Sequence, residues 1–372
     1  MNILFISNDQ NIFDEKSAVR ARMRTYATEV AKNGGTLHIL SRAPRTAEVT
    51  DGSLVLHGIA GNPISVLRRL PHIARKLIRA HSIAVVSAQD PFERGWVAYK
   101  AVHHTSAKLH IQIHTDFCSP WFVRGSFIPT IVNRIRRKLA DRVLPHADGI
   151  RVVSKRIQDS LTSRYGTGLK NIAIIPIPVD ATVPDLVPFP HADGFMLFTA
   201  SRLEQEKRIQ DLLQALATVL TMYPHTHLMI AGQGSERKRL EKLVSKLGLG
   251  KHVTFLGPRP DARGLMRSAQ AYIQASAYEG YGITLIEAAL AHVPIITTEV
   301  GIVGEVLAPG TAVLAVPPGD VAGLARNIRV IIESTRRRVE LVMRAEQAAR
   351  SHLAHVHDGP ADIIADMTRL GV

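Results

Sequence analysis

Short apolar runs rich in β-branched residues recur along the whole chain, separated by amphipathic segments. In the first half they cover residues 3–7, 36–41, 54–59, 83–88, 109–114, 150–154 and 172–175. In the second half they cover 196–200, 227–232, 253–257, 271–275, 294–298 and 312–316. Helical periodicity fills gaps between them, as at 21–32, 208–223 and 236–247. Alternating strands and helices predict an α/β protein of right-handed βαβ units, with parallel sheets covered on both faces. Hydrophobic residues make up 46% of the chain but aromatics only 5%, so the cores should be aliphatic, as parallel sheets favour.

The 372 residues suit two domains better than one. Five prolines between Ile175 and Pro190 rule out a helix there and disfavour a central strand. The pattern restarts at Phe195. The predicted division is therefore a first domain over 1–180, a proline-rich linker over 181–194 and a second domain over 195–352. Two doubly wound halves would offer a cleft at the carboxyl ends of their strands, where such sheets bind ligands.

Cys118 is the only cysteine, which excludes an internal disulfide and a cysteine-based metal site and fits a reducing compartment. The first residues read as a buried strand rather than a signal peptide. No apolar run approaches the ~18–20 residues of a membrane span, so a cytoplasmic protein is expected. The net charge of +14 is lopsided: residues 1–185 carry +12 and the remainder +2. Such asymmetry suits an anionic partner (phosphorylated substrate, anionic lipid or nucleic acid) and equally suits plain solubility. Basic–aromatic interleaving and nucleic-acid reader motifs are lacking, which argues against a specific nucleic-acid partner.

The densest chemistry lies in Glu279-Gly-Tyr-Gly-Ile-Thr-Leu-Ile-Glu287. A strand precedes this stretch and a helix opens within it. A glycine turn at a helix N-terminus is a ready anion site, because unpaired backbone N–H groups and the helix dipole face the turn. The flanking carboxylates Glu279 and Glu287 suit hydroxyls instead. A ligand with both phosphates and hydroxyls is a nucleotide-sugar. Arg202 and Lys207 flank the entry to another helix and suit a diphosphate. Gly232 and Gly234 end a strand and serve either a tight βα turn or a phosphate contact. No G-x4-G-K-[ST], G-x-S-x-G or H-E-x-x-H occurs, which weighs against P-loop, serine-hydrolase and zincin chemistry.

Four segments in order, Ser201 to Lys207, Ala231-Gly-Gln-Gly234, His252 to Gly257 and Ser276 to Ala288, resemble glycosyltransferase family 4. The resemblance is specific over about residues 195–325 and looser before. It implies a GT-B architecture, two Rossmann-like domains facing each other across a cleft. It also implies a C-terminal segment over 353–372 that packs back towards the first domain. The implied activity is transfer of a hexose-type sugar, with retention of configuration, from a UDP- or GDP-sugar to a glycan, lipid-linked or other hydroxyl acceptor. No metal or other cofactor is implied.

Carried over by position, Glu279 would contact the donor sugar, Glu287 the ribose, and Arg202 with Lys207 the leaving diphosphate. Backbone amides at Gly282, Ile283 and Thr284 would add hydrogen bonds there. His114 matches a histidine that reaches the donor sugar; a purely structural role is the alternative. His110 shares its strand face, but a metal reading lacks a third ligand. Asp90 and Asp116 stand at strand ends, as acceptor contacts or as caps. The family's Gly-Gly turn after the first strand is replaced by Ser17 and Ala18, with Arg20 or Arg22 available to supply charge. His292 replaces a usually small residue.

Basic amphipathic patterns at 67–79 and 127–139 fit either outer helices of a Rossmann sheet or a peripheral surface for an anionic membrane. An epimerase of similar fold is the second enzyme reading, disfavoured by the Arg202–Lys207 and Glu279–Glu287 spacings. A basic nucleic-acid-binding protein is the reading from another class.

Overall fold

A computed structural model describes residues 1–124, 127–189, 194–356 and 359–371. The chain divides into two compact units, Met1–Pro176 with His357–Val372, and Ile177–Val356.

The first unit is built on eight strands: β1 (Asn2–Ile6), β2 (Leu37–Arg42), β3 (Ala47–Asp51), β4 (Leu54–Ile59), β5 (Ile83–Ala88), β6 (Lys108–Ile113), β7 (Gly149–Val152) and β8 (Ile172–Ile174). They lie in the order β3-β4-β2-β1-β5-β6-β7-β8. All pairings are parallel except that of β3 with β4. The apolar runs became strands because both faces are covered: Ile3, Leu4, Phe5 and Ile6 are at most 1% exposed. Strand β3 was not foreseen. It is an edge strand whose residues alternate between half-buried and exposed, and Ala-Glu-Val-Thr-Asp lacks a continuous apolar run.

The Gly359–Leu370 helix buries Ile363, Ile364 and Met367 in the first unit's core. A polar chain also holds it. Asp366 Oδ2 lies 3.2 Å from His110 Nε2, and His110 Nδ1 lies 2.9 Å from Ser87 Oγ. Gln112 Nε2 donates to the same hydroxyl, and Arg151 Nη1 donates to Gln112 Oε1 at 2.8 Å. His110 is thus a satisfied core residue, which answers the metal reading of that position.

The second unit has six parallel strands, β9 (Phe195–Ala200), β10 (Thr226–Ala231), β11 (Val253–Gly257), β12 (Ala271–Ile273), β13 (Ile295–Thr298) and β14 (Leu314–Val316). Their order is β11-β10-β9-β12-β13-β14. This is the doubly wound arrangement, and its strand order reverses between β9 and β12. Asp180, the last residue of the expected first domain, and residues 184–187 of the expected linker are tied to the Ala262–Ser268 helix: Arg263 Nη1 donates to Asp180, Arg267 Nη1 to the Pro184 carbonyl and Ser268 Oγ to the Val187 carbonyl.

Candidate functional site

At the switch point of the second sheet, the loops leaving β9 and β12 stand side by side. The first carries the Gln205–Lys207 turn, the second Glu279 and the glycines. The Ala277 N–H donates to the Glu206 carbonyl at 2.7 Å and joins the two loops directly. Lys207 Nζ then meets Glu279 Oε1 at 2.5 Å, with both side chains only about 15% exposed. Ser276 Oγ donates to the same oxygen at 2.7 Å. Lys207 is aimed by its neighbour: Arg208 adopts a left-handed backbone (φ 48°) and grips Asp211 through two hydrogen bonds of 2.6 and 3.0 Å. A strained non-glycine residue beside a buried ion pair is typical of a site held in one geometry.

Gly282 opens the Ile283–Leu290 helix at φ 92° and offers no side-chain cap. The first intrahelical bond runs from the Leu285 N–H to the Gly282 carbonyl at 2.9 Å, so the Ile283 and Thr284 amides precede it. The turn is braced from behind: the Ile302 N–H donates to the Tyr281 carbonyl, and a Cβ on Gly301 would stand 2.3 Å from that oxygen. Thr284 Oγ1 donates to Gln274 Oε1 at 2.9 Å, so its hydroxyl proton faces the sheet.

Glu287 is half-buried one turn further along. Among the described residues its carboxylate has no hydrogen bond or ion pair, and burial raises its pKa despite the nearby Arg263 guanidinium. A half-buried carboxylate without a donor is costly unless a ligand supplies one. Arg202 behaves differently. Its guanidinium lies 3.2 Å from Glu206 Oε1, and its side chain is 75% exposed. The structure therefore brings Lys207 to Glu279 and leaves Arg202 on the rim.

Gly232 and Gly234 have a clear local reason. A Cβ at Gly232 would fall 1.9 Å from the Ser201 carbonyl oxygen, and one at Gly234 2.3 Å from that of Leu203. These glycines seat the loop that carries Lys207. Sequence reasoning missed Ser276, Gln274 and the Tyr281–His352 contact of 2.7 Å; only the position of Ser276 three residues before Glu279 hinted at its role. His292 takes a left-handed backbone (φ 57°) and pairs with Glu346 at 2.9 Å.

In the first unit His114 follows β6, half-buried. Burial, then the positive charges of Arg151 and Arg22, push its pKa down to about 3, so it is neutral at physiological pH. Of Arg20 and Arg22, Arg22 is the one whose charge acts on His114, together with Arg151. Arg20 is buried and bound to Asp51 at 2.8 Å and to the Ile12 carbonyl. Asp90 is engaged locally, accepting from the Phe92 and Arg94 N–H groups and pairing with the Arg94 guanidinium. Asp116 is buried and accepts from the Ser119 N–H and Ser160 Oγ.

His110 and His114 give the first unit an acid sensitivity. Both are held below the ordinary histidine value of ~6.5, so the unfolded chain binds more protons as pH falls through that value. Their contribution to stability is complete above ~6.5 and is lost progressively on acidification. Both tryptophans, Trp96 and Trp121, belong to this unit and report on it. The urea midpoint read by tryptophan fluorescence should fall between pH 7.5 and 5, and fall less in His114→Gln. A constant midpoint would contradict this account.

The basic stretches form the Pro63–Ala80 and Phe127–Val143 helices. The first buries Val66, Leu70, Ala74 and Ile78, the inner stripe expected of an outer helix. In the second, Arg136 pairs with Glu93 and Arg137 donates to the Phe117 and Ser119 carbonyls, so two of its cations are engaged within the unit. Ile64, Ile131 and Ile135 stay exposed. No helix among the described residues is long and apolar enough to cross a membrane. A cavity of about 210 Å³ between the Pro63–Ala80 and Glu93–Val102 helices has Arg42, Arg94, Arg136 and Glu93 beside a wall of Val66, Leu67, Leu70 and Val97.

Comparison with known proteins covers both units. The family described as glycosyl transferases group 1 matches residues 188–352, and glycosyltransferase family 4 matches 19–183. A glycogen synthase of Mycobacterium tuberculosis is 30% identical over 294 residues, 77% of this chain and 63% of that protein, so the chain spans less than two thirds of its relative's length. Sucrose-phosphate synthase of Thermosynechococcus elongatus matches in structure with a TM-score of 0.80 at 18% identity, covering 99% of this chain and 98% of that one. Anabaena HepE, solved in complex with UDP-glucose, matches at 0.72 and 20% identity, covering 98% and 99%. These structural likenesses speak for the fold, which is GT-B. With matching families over both units, the chain belongs to the group 1, family 4 glycosyl transferases.

Proposed function

We propose that the protein is a retaining glycosyltransferase that moves a hexose-type sugar from a UDP- or GDP-sugar to a hydroxyl acceptor. The observation that carries this reading is the Lys207–Glu279 pair at the switch point, set beside an uncapped helix N-terminus and the unpartnered Glu287. Each feature meets one part of a nucleotide-sugar: Lys207 and the Ile283 and Thr284 amides the diphosphate, Glu279 the sugar hydroxyls, Glu287 the ribose. Breaking the sugar–phosphate bond builds charge on the departing diphosphate. A fixed ammonium and aligned amides stabilise that charge where it develops, in place of a divalent cation. The cavity of the first unit, with Arg42 beside an apolar wall of Val66, Leu67, Leu70 and Val97, favours an acceptor that carries an apolar chain, as in a lipid-linked glycan. The solved HepE complex with UDP-glucose adds weight to a uridine donor.

The test is a panel of UDP- and GDP-sugars, read by thermal shift and nucleoside diphosphate release, with the product's anomeric configuration read by NMR. One donor should stabilise the protein and be consumed; a product of inverted configuration would contradict the retaining mechanism. Glu287→Ala should raise KM for that donor about 10–100-fold with little change in kcat, since hydrogen bonds to a charged group contribute ~1.5–3 kcal/mol and this one is made equally in ground and transition states. An unchanged KM would remove Glu287 from the ribose site.

A further inference from the structure

Three imidazoles from three elements converge in the first unit. His38 lies on β2, His57 on β4, and His81 ends the Pro63–Ala80 helix. In the β2–β4 register Leu40 stands opposite His57, so His38 and His57 point from the same face of the sheet. Asn2 Nδ2 donates to the His81 carbonyl at 2.7 Å and fixes the third backbone. The ring nitrogens all lie within 4.8 Å of one another. His38 Nδ1 is 3.0 Å from His57 Nε2, and the His38 and His81 ring centroids are 4.4 Å apart. His38 and His57 are buried, while His81 is half-buried. Directly opposite His57 on β3 stands Glu48, whose Oε2 is 3.0 Å from His57 Nδ1.

We propose that His38, His57 and His81 bind a divalent cation of the zinc type, with Glu48 orienting His57. Neutral imidazole nitrogens are the donors that zinc and its neighbours in the first transition row prefer. Three protein nitrogens leave a fourth position for water. A carboxylate on the far nitrogen of a ligating histidine sets its tautomer and raises its basicity. Glu48 does this for His57: it accepts a hydrogen bond from Nδ1–H and leaves the Nε2 lone pair facing His38. With the metal bound, His38 carries its proton on Nε2 and ligates through Nδ1. Zn–N bonds of ~2.0–2.1 Å in a tetrahedron put the nitrogens about 3.4 Å apart. The His38–His57 spacing needs only a small opening, and His81, whose ligating nitrogen lies within 4.8 Å of the others, closes the remainder.

In register His38 stands opposite Leu4 of β1, and His57 stands opposite Leu40, the partner of Ile6, while Asn2 at the start of β1 holds the His81 carbonyl. The metal would clip β2, β4 and the end of the Pro63–Ala80 helix together.

The full-length protein, stripped with EDTA and dialysed, is titrated with zinc chloride by calorimetry and by tryptophan-monitored thermal unfolding. One equivalent should bind with micromolar or tighter affinity and raise the midpoint, because zinc would bind the native state only. His57→Gln and His81→Ala should each weaken binding at least tenfold. Glu48→Gln should weaken it about 10–100-fold. Glu48 is exposed and His81 half-buried, so these two variants decide the matter even if His57→Gln does not fold; far-UV circular dichroism monitors all three. Absence of saturable binding would overturn the proposal. So would an affinity unchanged in both His81→Ala and Glu48→Gln, which would assign the zinc to others among the seventeen histidines.

Discussion

Lys207→Ala is expected to lower turnover by about 10²–10³-fold while the protein stays folded, the loss seen when one donor to a developing anion is removed. This corresponds to about 2.7–4 kcal/mol of transition-state stabilisation. The Lys207 ammonium rests against Glu279 at 2.5 Å, with Ser276 on the same carboxylate oxygen. On the proposed reading, a bound diphosphate would compete with Glu279 for that ammonium, and the competition would tip towards the phosphate as the sugar–phosphate bond lengthens. Lys207 should therefore matter more to kcat than to KM. Initial rates of nucleoside diphosphate release, set beside the urea midpoint, measure both consequences. A folded Lys207→Ala protein that keeps kcat within threefold of the parent would sink the assignment.

Glu279→Gln separates the other half of the pair. Glutamine can still accept from Ser276 Oγ but leaves Lys207 without a counter-charge. If Glu279 acts on sugar hydroxyls, the variant should bind nucleoside diphosphate about as well as the parent and transfer poorly. Lys207→Arg is not a rescue, since the planar guanidinium cannot reproduce a compact ammonium held between two loops.

Why these residues could be singled out, and others not, follows from what a sequence encodes. Runs such as Ile3–Ile6 announce themselves because both faces of the strand are covered. Strand β3 does not, because a half-solvated edge needs only alternation, and Ala-Glu-Val-Thr-Asp reads like a loop. Lys207 and Glu279 are 72 residues apart, and their meeting depends on β9 and β12 being neighbours in the sheet. No spacing carries that information; the resemblance of the surrounding motifs does. Arg202 belongs to the same motif as Lys207, yet only the fold shows that one is on the rim and the other inside. The histidines mark the limit. The strand spacing of His110 and His114 drew attention, but the partner of His110 is Asp366, 256 residues away. The convergence of His38, His57 and His81 combines a strand register with a helix end and leaves no trace in the linear pattern.

Gly232→Ala should destabilise the second unit by at least ~3 kcal/mol and weaken donor binding with it, because two penalties coincide there. Its backbone is left-handed (φ 125°), and a Cβ would lie 1.9 Å from the Ser201 carbonyl oxygen. That oxygen cannot retreat cheaply. The Ser201 N–H donates to the Ala231 carbonyl at 3.1 Å, and the Gly232 N–H to the Gly257 carbonyl at 2.7 Å, so both sides of the clash are anchored to the sheet. The Leu203 N–H donates to the Gln233 carbonyl and the Glu236 N–H to the Leu203 carbonyl, so displacing residue 232 also displaces the loop that ends at Lys207. Gly248→Ala is the control. Its backbone is also left-handed (φ 69°), but a Cβ there meets nothing within 4 Å, so only the local strain of ~1–2 kcal/mol remains. Hydrogen exchange of β9 and β10 amides, together with urea midpoints from circular dichroism, would compare the two. Equal losses in both variants would show that backbone strain alone is felt, and that these glycines do not seat the donor loop.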